Sequence, residues 1–389
     1  MPESELPVAA QYVVTFLKPE MLHVYRQITA LRAWRPVVLC QKREGVRDFP
    51  FSDLVVVPKP RTHPVRRLWQ KQILGQPITI YRSEARRLFG ELRRIEARVL
   101  HVYFGHIGVH LLPLLEIADV PVIVSFHGAD AQIPPAHLAP TRRMFKLATL
   151  VLVRSESLAE RLVALGCPTG KVRVHRTGVP LGEIPARVRE APGNGEWRCV
   201  QACRLIPKKG LATALTAFAK FAGEHPRATF TIAGEGPQLG ALRARARALG
   251  IAERVIFTGF LQQDELRALY AESHLFLHPS EVAADGDQEG VPNSMLEAMV
   301  SGLPVAATRH GGIPEAVEHG VSGMLVPEKD VAGLAAALRE LTASPERYSV
   351  MSAAAARRVT AEFDLEVQAR RLEALYDEAV GIRSRQLSK

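Results

Sequence analysis

Two carboxylates eight residues apart, Glu289 and Glu297, bracket the segment Ser280 to Glu297, which reads SEVAADGDQEGVPNSMLE. The acidic loop ends in Glu289-Gly290-Val291-Pro292, and Asn293-Ser294-Met295-Leu296-Glu297 opens an apolar helix. The start of a helix exposes unpaired N–H groups and positive dipole potential, so it is a site for an anion. Pro292 suits that start, where a missing N–H costs nothing. A carboxylate beside a bound phosphate is repelled unless it turns to accept hydrogen bonds from hydroxyls. The ligand that satisfies both demands carries phosphates and sugar hydroxyls together, as a nucleotide sugar does. For Glu297 alone, complementing the helix dipole is the competing reading.

A second cluster supplies cations. The strand Cys199 to Ala202 runs into Cys203-Arg204-Leu205-Ile206-Pro207-Lys208-Lys209-Gly210. Arg204 and Lys209 in a strand-to-helix loop lie at the carboxyl edge of a sheet, where a bound diphosphate needs its charge neutralised; Lys208 reads as a solvated surface lysine. Gly234-Glu235-Gly236-Pro237 is a further tight strand-to-helix turn whose glycines permit close backbone approach to a ligand, although a lone GxG is weak by itself. Asp285-Gly286-Asp287 reads as an acidic loop rather than a metal-binding pair. His101, His106 and His110 lack the Cys or carboxylate partners that a metal site requires. No metal or other cofactor is expected.

These residues need two scaffolds. With 389 residues the chain exceeds one ordinary core. In the first half, apolar runs of strand length at Gln11 to Phe16, Pro36 to Cys40, Leu54 to Val57, Val99 to Phe104, Val122 to Phe126, Leu150 to Val153 and Val172 to His175 alternate with helical patterns, one of them over Ser83 to Ala97. The second half repeats the alternation at Cys199 to Ala202, Thr229 to Ala233, Val255 to Thr258, Leu275 to His278, Val305 to Ala307 and Gly323 to Val326. Strand and amphipathic helix in turn make an α/β doubly wound domain. The expected division is a first domain over 1–182, a linker over 183–196 rich in Pro and Gly and without apolar periodicity, a second domain over 197–365, and a helix over 366–389 that packs back on the first domain. Two such domains would face one another across a central cleft.

Composition narrows the partners. A mean hydropathy of +0.01 is that of a globular protein, and no apolar run reaches the roughly 20 residues that a membrane span requires. The first ten residues, MPESELPVAA, contain no basic stretch, so no secretory signal is expected. Four scattered cysteines suggest buried thiols in a reducing cytoplasm. The formal net charge of +10 comes from the first 190 residues, which hold 28 Lys and Arg against 16 Asp and Glu, while the remainder holds 22 against 24. The cations are not interleaved with aromatics in a nucleic-acid motif, so a nucleic-acid partner is not expected. Arg66, Arg67, Trp69 and Lys71, or the face of Arg86, Arg87, Arg93 and Arg94, could instead rest on the anionic inner face of a membrane as a peripheral contact.

Arg204, Lys209, Gly234-Glu235-Gly236-Pro237, Gly259-Phe260 and the spaced pair Glu289 and Glu297, in this order, resemble the family-4 retaining glycosyltransferases of GT-B fold. The resemblance extends from Val122 to about Phe363. Ser125-Phe126-His127-Gly128-Ala129-Asp130 looks like the family's His-Gly-x-Asp loop, Thr177-Gly178-Val179 is similar to its Asn-Gly-Val, and Asp285 to Gly290 is similar to the exopolysaccharide, colanic-acid-type branch. The family's glycine-rich first loop is replaced by Phe16-Leu17-Lys18-Pro19-Glu20, which leaves the acceptor side unassigned.

The resemblance implies a metal-independent hexosyltransferase that takes a sugar from a nucleoside diphosphate, UDP in preference to GDP, to a glycan, lipid-linked or small-molecule acceptor in polysaccharide or glycoconjugate biosynthesis. It implies that Arg204 and Lys209 bind the diphosphate, Glu289 holds the transferred sugar, Glu297 accepts from the ribose hydroxyls, and His127 acts from the first domain. Gly259, Phe260 and Leu261 would meet the base. Gly290, Val291, Pro292 and Asn293 would surround sugar and phosphate, and Gly234 and Gly236 would line the donor site. A GT-B nucleotide-sugar epimerase or phosphorylase, or a silent nucleotide-sugar-binding module, are the competing readings.

Overall fold

The structure is a computed structural model that describes residues 5–18, 21–60, 67, 68, 70, 73, 75–284 and 286–387. Of the residues singled out above, Pro19, Glu20, Arg66, Trp69, Lys71 and Asp285 lie outside those described. The chain divides into two compact units, Met1–Gly178 with Leu365–Lys389, and Val179–Asp364.

The first unit is built on a seven-stranded sheet: β1 (Val8–Phe16), β2 (Arg35–Arg43), β3 (Leu54–Val56), β4 (Ala97–Tyr103), β5 (Val122–Phe126), β6 (Leu150–Val153) and β7 (Val172–Val174). Their order is β3-β2-β1-β4-β5-β6-β7, and every pair is parallel. Parallel strands need crossover helices, which cover both faces of the sheet. That is why Leu150–Val153 is buried at every position. Helix Arg82–Arg94 shows the opposite, amphipathic pattern: Ala85, Leu88 and Leu92 are buried while Arg86, Arg87, Arg93 and Arg94 are exposed. It stops before the expected Ala97 because that residue opens β4. The four arginines are not equivalent, since Arg93 pairs with Asp119 and Arg94 with Glu91.

The second unit repeats the plan on six parallel strands: β8 (Arg198–Ala202), β9 (Thr229–Ala233), β10 (Val255–Gly259), β11 (Leu275–His278), β12 (Val305–Thr308) and β13 (Gly323–Val326). Their order is β10-β9-β8-β11-β12-β13. Both sheets reverse their winding beside their first strand, between β1 and β4 and between β8 and β11.

Two expected boundaries move. Residues 183–196 are not a linker but part of the second unit. Arg187 N–H donates to Val300 O, and the Arg189 guanidinium reaches Ser301 O (2.8 Å) and Tyr270 O (3.0 Å). The stretch is ordered by backbone and guanidinium bonds, which leave no apolar period in a sequence. The second shift is at the crossings between units, at Gly178 and Leu365 rather than 182 and 366. A Cβ on Gly178 would stand 2.6 Å from Leu365 Cα, so no larger residue fits there without displacing backbone.

Helix Leu365–Leu387 completes the first unit. Leu372, Tyr376 and Ala379 pack with Ala9, Trp34, Val99, Ile123 and Leu150. Buried Tyr376 Oη lies 2.8 Å from His101 Nδ1 and 3.1 Å from Gln11 Nε2. Glu373 Oε1 accepts from the N–H groups of Arg32 and Ala33, both at 2.6 Å, and of Trp34 at 3.3 Å. Glu373→Ala leaves these amides without their acceptor and is expected to cost about 1–3 kcal/mol. Urea denaturation followed at Trp34 checks this, and Glu373→Gln should recover much of the loss.

Candidate active site

The expected donor-site residues gather in the second unit where β8 and β11 pair and their following loops diverge, with Leu275 opposite Cys199 and Phe276 opposite Val200. In open α/β sheets this carboxyl-end switch point is where ligands bind. The loop after β8 turns through the short 3-10 segment Pro207–Lys209 to Gly210, whose φ is +61°. A Cβ there would lie 1.7 Å from Pro279 O, so glycine lets the two loops touch. From below, buried Gln201 Nε2 donates to Lys209 O at 2.8 Å.

Lys209 Nζ donates to Glu289 Oε2. The cation expected at the diphosphate and the carboxylate expected at the sugar are thus partners. Burial alone would raise the Glu289 pKa, but Lys209, Lys208 and His278 overcome it and hold the carboxyl down at about 2. Lys208 corrects the surface reading: it is only 4% exposed, and its Nζ contacts Asp287 Oδ1 and Gln288 O, each at 3.1 Å. Sequence spacing gives no sign of this, because the acidic partner lies 79 positions away. Arg204 behaves as expected of an available cation: it is exposed, and its guanidinium pairs with no carboxylate among the described residues.

Helix Asn293–Val300 starts beside this pair with Pro292 as its N-cap residue. Ser294 Oγ donates to Ala202 O (2.7 Å), which seats the helix start against the end of β8. Met295, Leu296 and Ala298 to Val300 are buried, as is Glu297. Gly290 is buried at the loop end, and Val291 packs against the core beneath.

The glycine turn has a reason other than the one expected. At Gly234 a Cβ would meet Cys203 O at 1.9 Å, and at Gly236 Leu205 O at 2.5 Å. These glycines bring the turn against the Arg204 loop, with Leu205 N–H donating to Glu235 O, rather than leaving room for a ligand alone. Gly234 N–H donates to Gly259 O (2.7 Å), so this turn and the end of β10 are joined. Phe260 follows and is 56% exposed, and Leu261 packs inward.

His127 belongs to the first unit. Its Nδ1 is 3.1 Å from His23 Nε2 and its Nε2 is 3.0 Å from Ser125 Oγ. Burial, then Arg154, His23, His101 and His175, push its pKa well below the usual histidine value, so the ring is neutral. Asp130 orders the loop by accepting from the N–H groups of His127 (2.8 Å), Gly128 (3.0 Å) and Gly105 (2.8 Å). A cavity of about 790 Å³ opens in this unit at the carboxyl ends of β1, β4 and β5. Lys59, Arg67, His106 and His110 line it together with Phe126 and Ile133.

Sequence reasoning missed His278 and His310, each at or just past a strand end. His278 is fully buried under the ion pair, and neither ring nitrogen has a hydrogen bond. Burial and Lys209 push its pKa down to about 3. Among the described residues no group of three or more His, Cys, Asp or Glu could hold a metal ion.

A family model described as Glycosyl transferases group 1 matches residues 186–358, and one described as Glycosyltransferase Family 4 matches residues 22–183. The amylovoran biosynthesis glycosyltransferase AmsK of Erwinia amylovora is 34% identical over 281 residues, 71% of this chain and 69% of that protein. WcaL of Escherichia coli, a glycosyltransferase assigned to colanic acid biosynthesis, is 31% identical over 78% of this chain and 77% of its own. The GDP-mannose-dependent alpha-(1-6)-phosphatidylinositol monomannoside mannosyltransferase of Mycolicibacterium smegmatis is 33% identical over 70% of this chain and 73% of its own. Among solved structures, Anabaena Alr3699/HepE in complex with UDP gives a TM-score of 0.75 at 18% identity, covering 96% of this chain and 100% of that one. At that identity the likeness concerns the fold, which is GT-B.

A doubly wound pair of domains with these sequence matches defines a glycosyltransferase. The chain belongs to glycosyltransferase family 4.

The low pKa of Glu289 carries a pH signature. Its stabilising contribution is complete above the ordinary carboxylate value of 4.5 and is lost as pH falls toward about 2. Glu289→Gln should therefore be less stable than the wild type at pH 6, and the gap should narrow steadily between about pH 4.5 and 2. Denaturant titrations of both proteins across that window provide the check.

Proposed function

We propose that the chain transfers a sugar with retention of configuration from a nucleoside diphosphate sugar, UDP in preference to GDP, to a glycan or lipid-linked acceptor in exopolysaccharide assembly. The observation that carries this reading is the buried Lys209–Glu289 pair beside the first turn of helix Asn293–Val300, with Arg204 open next to it. An arriving diphosphate finds Arg204 exposed and the opening amides of the helix directed at it, and it competes with Glu289 for the Lys209 ammonium. Glu289, released from that ammonium, turns to hydroxyls of the transferred sugar. Glu297 takes the ribose hydroxyls, and the segment Gly259 to Leu261 meets the base.

Fixed cations aimed at charge developing on the leaving diphosphate supply the main catalytic term, and removing one donor of this kind costs about 2.7–4 kcal/mol. No metal or other cofactor is required in this scheme. The leaving phosphate takes the acceptor proton on the face from which it departs. Neutral His127 serves as a hydrogen-bonding group at the acceptor side rather than as a charged acid. The cavity of about 790 Å³ in the first unit is the acceptor site, with cationic and apolar walls suited to a glycan on a phosphate-bearing lipid.

UDP is favoured by the fold neighbour that holds UDP, and GDP by the mannosyltransferase relative. Isothermal titration with each nucleotide decides, with tighter binding of UDP expected. Arg204→Ala and Lys209→Ala should each lower transfer about 100- to 1000-fold while leaving the fold intact. Full turnover by either variant removes that residue from the mechanism. The anomeric configuration of the first-formed product, read by proton NMR, tests retention.

The enzyme works in the cytoplasm, where its four free thiols stay reduced. Among the described residues no helix is long and apolar enough to cross a membrane. Contact with an anionic inner leaflet would rest on Arg86 and Arg87, which are not engaged by the acids that hold Arg93 and Arg94. Flotation with anionic vesicles should recover more protein than flotation with neutral ones, and Arg86→Glu with Arg87→Glu should abolish the difference.

A further inference from the structure

We infer that Glu328 and His310 form a positioning dyad that sets where the Glu289 carboxylate stands, an inference that rests on the reading of this site as the donor site. His310 follows β12 and Glu328 follows β13, and these neighbouring parallel strands deliver both side chains to the loop after β11.

The hydrogen bonds fix every atom of the dyad. The backbone N–H of Glu289 can only donate, and it lies 2.8 Å from His310 Nε2. That nitrogen is therefore the acceptor and carries no proton, so the ring proton is on Nδ1, which donates to Glu328 Oε1 at 2.7 Å. The other carboxylate oxygen, Oε2, accepts the N–H of Val282 at 2.9 Å. One carboxylate thus holds both ends of the loop 282–289, directly at the first residue and through an imidazole at the last.

The surroundings leave this clasp little play. The His310 side chain is 1% exposed. A Cβ on Gly311 would lie 2.1 Å from Glu289 O, so the backbone after His310 is pressed against the residue it holds. Thr308 Oγ1 donates to Ser280 O, two residues before Val282. Burial would raise the Glu328 pKa, but the Val282 N–H and His310 lower it below the ordinary carboxylate value, which keeps the clasp ionised.

Such a clasp is needed because Lys209 alone cannot orient its partner. An ammonium on a flexible four-carbon stem accepts a carboxylate from many directions. Only a fixed backbone at residue 289 selects the direction that faces the sugar. Glu328 and His310 touch no ligand in this scheme and act through Glu289.

The test separates sugar handling from nucleotide binding. Glu328→Ala, Glu328→Gln, His310→Ala and His310→Gln are compared for kcat and KM with the nucleotide sugar, for Kd with UDP and with GDP by titration calorimetry, and for thermal unfolding. Misplacement of a reacting group by about 1 Å costs on the order of 100-fold. Glu328→Ala and His310→Ala should lower kcat/KM about 10- to 100-fold, with the Kd of the bound nucleotide within about threefold of wild type. His310→Gln, whose Oε1 can take the Glu289 N–H, should recover most of the loss, whereas Glu328→Gln keeps one acceptor oxygen in place of two and should recover only part of it. Wild-type turnover by Glu328→Ala overturns the inference. So does an equal loss of nucleotide affinity and turnover, or a His310→Gln no better than His310→Ala. The tautomer of His310, read by 15N NMR on the ligand-free protein, must be the Nδ1–H form; the Nε2–H form refutes the dyad. If wild-type protein bound neither UDP nor GDP, the donor-site reading would fall, and the tautomer would still judge the dyad.

Discussion

The second unit depends on one ammonium and one carboxylate held together away from water. Removing either charge from solvent costs several kcal/mol, and their attraction returns this only when both are fixed and their remaining bonding capacity is met. The chain meets that demand with backbone. Gln201 grips the carbonyl of Lys209 from inside the sheet, Gly210 lets the β8 and β11 loops meet at Pro279, and the parallel pair Lys208–Asp287 ties the same loops a second time. Each contact sits where β8 and β11 separate, so the sheet order itself determines where the charge is kept. The ammonium is thus kept largely out of water in a fixed environment.

One buried histidine in each unit, His175 and His310, has its tautomer fixed by a backbone neighbour that cannot change roles. In the first unit His175 donates from Nε2 to Gln368 O and accepts at Nδ1 from Arg154. Arg154 is itself buried, gives its other bonds to Gln27 Oε1 and to backbone carbonyls, and is hydrogen-bonded by no carboxylate among the described residues. Burial first, and this guanidinium after it, hold the neighbouring His127 ring in the uncharged form. Each unit therefore has a permanent cation near its carboxyl edge and uses uncharged imidazoles as oriented dipoles.

Much of the fold could be read from the chain because fully buried strands announce themselves as unbroken apolar runs. Leu150–Val153, Leu275–His278 and Gly323–Val326 begin and end where their composition says. The site was readable where it depends on residues adjacent in sequence, as in Glu289 before the helix at Asn293. It was not readable where it depends on sheet order. Nothing local ties Lys208 to Asp287, or Glu328 to Val282, because those contacts exist only once β8, β11, β12 and β13 lie side by side. The stretch 183–196 was misread for a related reason: it is held by bonds to carbonyls, which any sequence offers.

The last helix belongs to the unit that the chain began with, and this orders events during synthesis. A polypeptide emerges from the ribosome amino end first, so Val179–Asp364 has all of its residues before Met1–Gly178 has the side chains of Leu372, Glu373 and Tyr376. The early sheet must wait, with the surface around Ala9, Val99 and Ile123 uncovered, until the final turns arrive. The half of the protein made second is the half that can finish first, and a chain cut short by a few turns would keep its later domain whole while leaving its earlier one open.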